Sequence, residues 1–596
     1  MLISDRAAVA TDLAAEETRP RDALTPFMPD QSQPFRNAIT ELIERHATAL
    51  FVVIGLLYLV CFNGQWRIGL DSANYRGLAD GLASGRGYTF GEWAPRNVYP
   101  GYPLLLAGLQ KAFGKSAVAP CVAMLVMSAL TLVITYRLIR LHYPKWIAVT
   151  VTCGVATNSW FLQQSSELMT DVPFLLGVVT ALYGWELLKR DVTVERRWRV
   201  GPIVLLLLGL GFAAVMRPTF YILVAAWGVT CAWGILHGPH RKFYATALGA
   251  MLVVWIAFAA VDPRSRGFHP LAGGYEREAI AMLRGIATRS NDIDALDAKK
   301  GPGVRAFEVL HDQFPAGFFG EQLSILPVRI HGKKVSWTSI LGSLVVIGAA
   351  GLLIRRHMLW TMLAWGTVAV TVIVSAEPRY YVMVVPVLSL AWLTLLVAIA
   401  KRVGPRAGVA VLGVGMALVT LNNISASVAF VKEQRARNFL ETYKNGKWLS
   451  TVRMAGIIQR SVSPYQTVLG PSGSVLSYLS GRHVWTQREI LPRRGGVPDF
   501  PRFVRDKRIQ YAIFPASLYQ AKEPAIARMM ERGVMTPTRW VGEVRGIRLM
   551  EMKVNVPPGD WLKLKKLKSR EWRAMIQQAK KEHAVAIKQR PQNRKR

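Results

Sequence analysis

Cysteine is scarce in this chain. The four present among 596 residues, Cys61, Cys121, Cys153 and Cys231, all fall inside apolar runs. That distribution excludes a disulfide framework and a cysteine-based zinc motif. Acidic residues are also few, 38 against 74 basic ones, and charged residues make up only 19% of the chain. A soluble enzyme of this length would carry polar surface throughout, with about a quarter of its residues charged. Residues 1–46 lack the charged start, apolar stretch and small-residue cleavage site of a signal peptide, so 51–60 reads as part of an uncleaved first span. No internal repeat is visible.

What the chain has instead is long apolar runs, such as "IAVTVTCGVATNSWFL" and "MLVVWIAFAAV". A hydrocarbon layer about 30 Å thick needs roughly 20 apolar helical residues to cross it. Eleven candidates follow: 47–63, 116–136, 146–162, 172–188, 201–216, 218–236, 243–261, 336–354, 358–376, 380–400 and 407–430. The fifth and sixth are divided at Arg217-Pro218, where proline permits a sharp turn. The sequence thus predicts a polytopic α-helical membrane protein.

Loop charge orients it. With the N-terminus inside, loops 137–145, 189–200, 237–242, 355–357 and 401–406 hold fifteen Lys and Arg on the cytoplasmic side. The short outer turns hold two, and the first outer loop six more. The positive-inside rule favours this arrangement. Residues 1–46 are then expected to be a disordered cytoplasmic tail, and 47–430 the membrane domain with outer loops 64–115 and 262–335. Residues 431–560 become a small extracytoplasmic α/β domain. Within it "QTVLGPSG", "QYAIFPA" and "RGIRLMEMKV" read as strands, and "SVLSYLSG" and "EPAIARMMERG" as helices. In the 262–335 loop, "REAIAMLRGIAT" has helical spacing. The tail 561–596 carries thirteen basic residues against Glu571 and Glu582. Beside a bilayer, it is read as solvated or as attracted to anionic lipid headgroups rather than to nucleic acid.

Chemistry concentrates at one predicted face. Asp71 opens a short helix in "DSANYRGLADGLASGRGYTF", where it serves either as a base toward an incoming hydroxyl or as an ordinary N-cap. Pro103 opens a second, interfacial helix in "VYPGYPLLLAGLQKAFG". In "QQSSELMTDVPFLL", Glu167 and Asp171 stand four apart and are expected on one helical face. Arg217 and Arg379 meet the same side, as headgroup anchors or as guanidinium clamps on a phosphate. "LGPSGSV" lacks both nucleotide-loop signatures and reads as a plain strand–helix turn. Trp66, Tyr99, Trp160 and Tyr380 mark an aromatic belt. The ten histidines are scattered, with no carboxylate–histidine cluster on a single loop.

The loop from Asp71 through "YPGYPLLLA" resembles the first outer loop of the GT-C glycosyltransferases, in the branch holding protein O-mannosyltransferases and the bacterial aminoarabinose transferase of lipid A. "ELMTDVP", "MRPT" and "PRYYVMVVP" resemble later parts of that family in the same order, and "SVLSYLSGRHVW" a segment of its outer domain. The resemblance implies sugar transfer from a polyprenyl phosphate to a lipid, glycan or protein acceptor on the extracytoplasmic face of a bacterial inner membrane, with inversion. By motif, Asp71 would be the general base, and Glu167 or Asp171 the second acid. Arg217, Arg379 and Arg96 would hold the donor phosphate, and Tyr75, Tyr99 and Tyr102 belong to the substrate loop. The family's Asp-Glu pair is missing, since Ser72 follows Asp71, so a divalent metal is not favoured. A multi-span transporter and a membrane scaffold with an outer binding domain are the competing readings. Against the first, the acids cluster at one face and no repeat is seen.

Overall fold

The computed structural model describes residues 34–90, 98–193, 198–260, 306–320, 327–330, 333–373, 378–436, 447–470, 473–485, 509–515, 535–544 and 547–554. Among the described residues, every predicted apolar segment overlaps helix. The long helices are α1 (Pro34–Cys61), α4 (Val118–Arg140), α5 (Lys145–Thr157), α7 (Asp171–Thr193), α8 (Val200–Met216), α9 (Phe220–His237), α10 (Arg241–Ala260), α12 (Trp337–Ala350), α13 (Met358–Ile373), α14 (Val385–Val403) and α15 (Pro405–Arg435). Between them lie short helices α2 (Leu70–Ala83), α3 (Gly101–Phe113), α6 (Ser159–Gln164) and α11 (Phe314–Phe319). Among the described residues, six helical stretches are long and apolar enough to cross a membrane, and four more are apolar but shorter. Side chains such as Val53, Leu56, Val126, Leu208 and Leu421 point outward from the bundle, as lipid-facing positions would.

The first helix runs back to Pro34, so the segment 34–46 expected in the disordered tail is helical. The predicted span 146–162 is broken at Asn158. Its side chain accepts the Phe161 N–H at 3.0 Å, capping α6, and donates to the Gly317 and Phe318 carbonyls of α11. Asn422 and Asn423, within α15, donate to the Phe319 and Phe318 carbonyls at 2.6 and 3.1 Å. Three asparagines therefore satisfy the orphan C-terminal carbonyls of a short buried helix, a requirement that becomes severe away from water. Gly317 of α11 lies against the Pro378 carbonyl and Tyr381 so closely that a Cβ would stand 2.8 Å from each. The 3-10 stretch Pro378–Val384 is seated on it.

Helices α7 and α8 pack backbone to backbone. A Cβ on Gly209 would meet the Ala181 nitrogen at 2.3 Å, one on Gly184 the Leu206 nitrogen at 2.5 Å, and one on Gly177 the Ala213 nitrogen at 2.8 Å. Small residues at such a seam let dispersion and close approach do what the hydrophobic effect cannot do in lipid.

The C-terminal portion contains α16 (Lys447–Ser461), α17 (Gly473–Ser480) and five strands: β3 (Thr467–Leu469), β4 (His483–Trp485), β5 (Ile509–Pro515), β6 (Met535–Val544) and β7 (Ile547–Val554). A separate hairpin joins β1 (Pro327–Ile330) and β2 (Lys333–Ser336). The five-stranded sheet runs β4-β3-β5-β7-β6, with β3 parallel to both neighbours and β7 antiparallel to both of its own. Three of those strands and α17 were expected, whereas β4, β6 and α16 were not. The helices read at "EPAIARMMERG" and "REAIAMLRGIAT" and the basic tail 561–596 lie outside the described residues.

Candidate functional site at one rim of the bundle

The start of α2 is stabilised without Asp71. Ser72 Oγ accepts the Gly69 N–H and the Trp66 indole N–H, each at 3.0 Å. Capping is thus met by a neighbour. The Asp71 carboxylate instead accepts Arg379 Nη1 at 3.0 Å. Its side chain is 45% exposed and that of Arg379 is 19% exposed, so an incoming group can reach the pair.

Asp171 heads α7 and pairs with Arg217, which ends α8. The tight seam between those helices is what brings the two together. This pair is buried, with side-chain exposures of 2% for Asp171 and 12% for Arg217. Both guanidinium groups then lie over one ring, Arg217 at 5.1 Å and Arg379 at 5.6 Å from the centroid of Tyr380. Asp71, Asp171, Arg217 and Arg379, drawn from four distant segments, therefore meet around Tyr380. The Tyr380 ring, which the sequence offered only as belt, is the centre of the group.

Tyr75, one turn beyond Asp71, belongs to the same cluster. Burial raises its phenol well above the ordinary range, and the negative charge of Asp71 adds to that effect while Arg217 and Arg379 oppose it. Its ring meets that of Tyr102 edge-on at 5.3 Å, and Tyr99 is buried nearby in sequence. Arg96 lies outside the described residues.

One expectation fails. Glu167 and Asp171 do not share a helical face, because α7 begins at Asp171 and Glu167 sits in the turn before it. Glu167 accepts from Gln163 and Gln164 at 3.1 Å each and stands 3.6 Å from Arg67. Arg67 is itself buried, pairs with Glu433 at 2.8 Å, and covers the Phe430 ring at 4.5 Å. The helical reading failed because Ser165-Ser166 favours a turn over continuation. In the sequence Arg67 is one basic residue of the first outer loop. Nothing local marks it, since both of its carboxylate partners are distant in sequence.

The α/β portion packs against α2. Trp66 meets Tyr478 at 5.1 Å, and Arg76 lies over both rings at 4.9 and 5.1 Å. Ile68, Ala73, Trp448 and Val475 form a small buried cluster between the two.

Chemically, the rim offers two oriented guanidinium groups, suited to a phosphate, beside a partly exposed carboxylate. Among the described residues, the one group of three metal-ligating side chains lies elsewhere, at His142, Glu186 and His357.

The fold is similar to that of solved ArnT and archaeal oligosaccharyltransferase structures. Among solved structures, ArnT from Cupriavidus metallidurans bound to undecaprenyl phosphate matches with a TM-score of 0.51 at 13% identity, over 84% of this chain and 97% of that one. The archaeal oligosaccharyltransferase AglB from Archaeoglobus fulgidus, in complex with an inhibitory peptide and a dolichol-phosphate, matches at 0.51 and 13%, over 87% of this chain and 75% of that one. A second structure of the Archaeoglobus fulgidus oligosaccharyltransferase, tethered to an acceptor peptide, matches at 0.52 and 12%, over 87% and 76%. No protein-family model matches the sequence, and no curated protein matches it. At these identities the likeness is one of fold.

Proposed function

We propose that this protein is a membrane glycosyltransferase that moves a sugar from a polyprenyl-phosphate donor to a lipid, glycan or protein acceptor. One observation carries the reading: two carboxylate–guanidinium pairs from four distant segments meet around Tyr380 in a GT-C fold. The donors in the neighbouring structures, undecaprenyl phosphate and dolichol-phosphate, support a lipid phosphate as the ligand of Arg217 and Arg379.

In this mechanism the donor phosphate draws Arg379 away from Asp71, leaving Oδ2 free to accept a proton. The acceptor hydroxyl gives its proton to Asp71, and its oxygen attacks the anomeric carbon opposite the phosphate. The bond from that carbon to the phosphate oxygen breaks, polyprenyl phosphate departs, and the configuration inverts. Paired with guanidinium, the phosphate is a competent leaving group, so position, a base and cations suffice. Asp171 holds Arg217 in place. Glu167, through Arg67, fixes the segment leading into α2. Tyr75 and Tyr102 wall the acceptor side, with Tyr99 in the same loop; Arg96 is assigned to the donor phosphate by motif alone.

The surrounding orientation is part of the proposal: eleven spans, N-terminus in the cytoplasm, and the rim and α/β domain on the far side of a bacterial inner membrane. The test is Asp71→Asn in purified protein reconstituted with polyprenyl-phosphate sugars. Transfer is expected to fall about 100- to 10,000-fold while donor binding is retained. Unchanged turnover would remove Asp71 from the role of base.

A further inference from the structure

Helix α7 carries a second buried carboxylate. Glu186 lies fifteen residues after Asp171, about 22 Å along the same helix and at its other end. Two histidines from distant turns close on it. His142, just after α4, places Nε2 3.2 Å from Glu186 Oε2, and His357, just before α13, places Nδ1 3.9 Å from Oε1. The rings of the two histidines meet edge-on at 4.7 Å, and His357 stacks on Trp360 at 4.2 Å, which fixes its plane.

The cluster is poorly satisfied by protein alone. The side chains of His357 and Glu186 are 0% and 2% exposed. Both ring nitrogens of His357, Nε2 of His142 and Oε2 of Glu186 are buried without an aligned hydrogen bond. Native proteins rarely leave such atoms unmet. Lys189 stands 3.9 Å from Glu186 Oε2, but it is a third exposed on a flexible stem and can move outward. Arg356, beside His357, is turned over the Tyr143 ring instead.

We propose that His142, Glu186 and His357 bind one divalent transition-metal ion of the zinc type. One ligand atom from each side chain lies within 4.8 Å of the others. Tetrahedral zinc, with bonds of about 2.1 Å, spaces its ligand atoms roughly 3.4 Å apart, so closure needs about 1 Å of side-chain rotation. Two imidazoles with one carboxylate suit a borderline metal rather than magnesium or calcium, which take oxygen donors. His142, with its side chain 20% exposed, is the most accessible of the three ligands. The ion joins the turn after α4, the far end of α7 and the start of α13. The site stands apart from the Asp71 rim and does not rest on the glycosyltransferase reading.

The test uses the full-length chain in detergent, with any affinity tag removed, stripped with chelator and titrated with Zn(II), Co(II) or Mg(II). Elemental analysis is expected to give one zinc per chain. Co(II) should develop visible d–d bands of a four-coordinate site, zinc should raise the melting midpoint, and Mg(II) should do none of these. His357→Ala and Glu186→Gln are each expected to weaken uptake at least tenfold, while His237→Ala, an exposed control, leaves it unchanged. Should those buried variants fold poorly, the more exposed variant His142→Ala decides by the same readings. Uptake well below one equivalent, or uptake indifferent to His142→Ala and His357→Ala, overturns the proposal.

Discussion

Two arginines share the Tyr380 ring yet stand in different surroundings, and substitution should separate them. Arg217→Ala leaves Asp171 as a buried, unpaired carboxylate. A loss of about 3–5 kcal/mol is expected, read as a fall in the unfolding midpoint. Asp171→Asn in the same chain should restore much of that stability without restoring transfer. Arg379→Ala breaks a half-exposed pair and should cost no more than about 1 kcal/mol. Its activity should nevertheless drop at least tenfold, with weakened donor binding measured in parallel. Equal stability losses for both variants would refute the distinction. At this scale the sequence was informative about residue types and silent about partners. Asp71, Asp171, Arg217 and Arg379 stood out as charges at apolar borders, but only the folded chain shows that Asp71 meets Arg379 across 308 residues. Glu167 turns to Gln163, Gln164 and Arg67 because Ser165-Ser166 forms a turn where the four-residue spacing to Asp171 predicts helix.

Among elements, the seam between α7 and α8 sets the spacing of Asp171 and Arg217. Gly209→Val places carbon where the Ala181 backbone already stands. Overpacking of about 1–3 kcal/mol is expected, with transfer reduced by more than the stability loss explains, since the two helices carry site residues at their ends. Asn158 is the second lever. Asn158→Ala removes the α6 cap and two donors to α11, with an expected cost of about 1–3 kcal/mol by thermal unfolding. Hydropathy located the long helices of the bundle because span-length apolar runs leave few alternatives. It missed the break at Asn158 because Asn158-Ser159, a good cap signal, lay inside an otherwise continuous run. It also missed the pairing of α11 with α15, which depends on carbonyls that no sequence pattern reveals.

At the level of the whole molecule, the α/β portion rests on the helix that carries Asp71. Tyr478→Ala removes the ring that packs on Trp66 and Arg76. It is expected to slow transfer several-fold with little change in donor affinity, because α2 loses its outer support while the guanidinium groups stay seated. A fall in donor affinity alone would argue that this contact serves the phosphate side. Strands β3, β5 and β7 and helix α17 were legible from their apolar runs. The docking of this region was not, because Trp66 and Tyr478 lie 412 residues apart and meet only through tertiary packing.

Where α7 meets α8, the gap between the helices is defined by atoms common to every amino acid. Substitutions on the outward flanks, at positions such as Leu207 and Leu208, leave that separation untouched. A lineage of such proteins is free to rewrite its membrane-facing surface almost completely and still hold its ion pair at the same width.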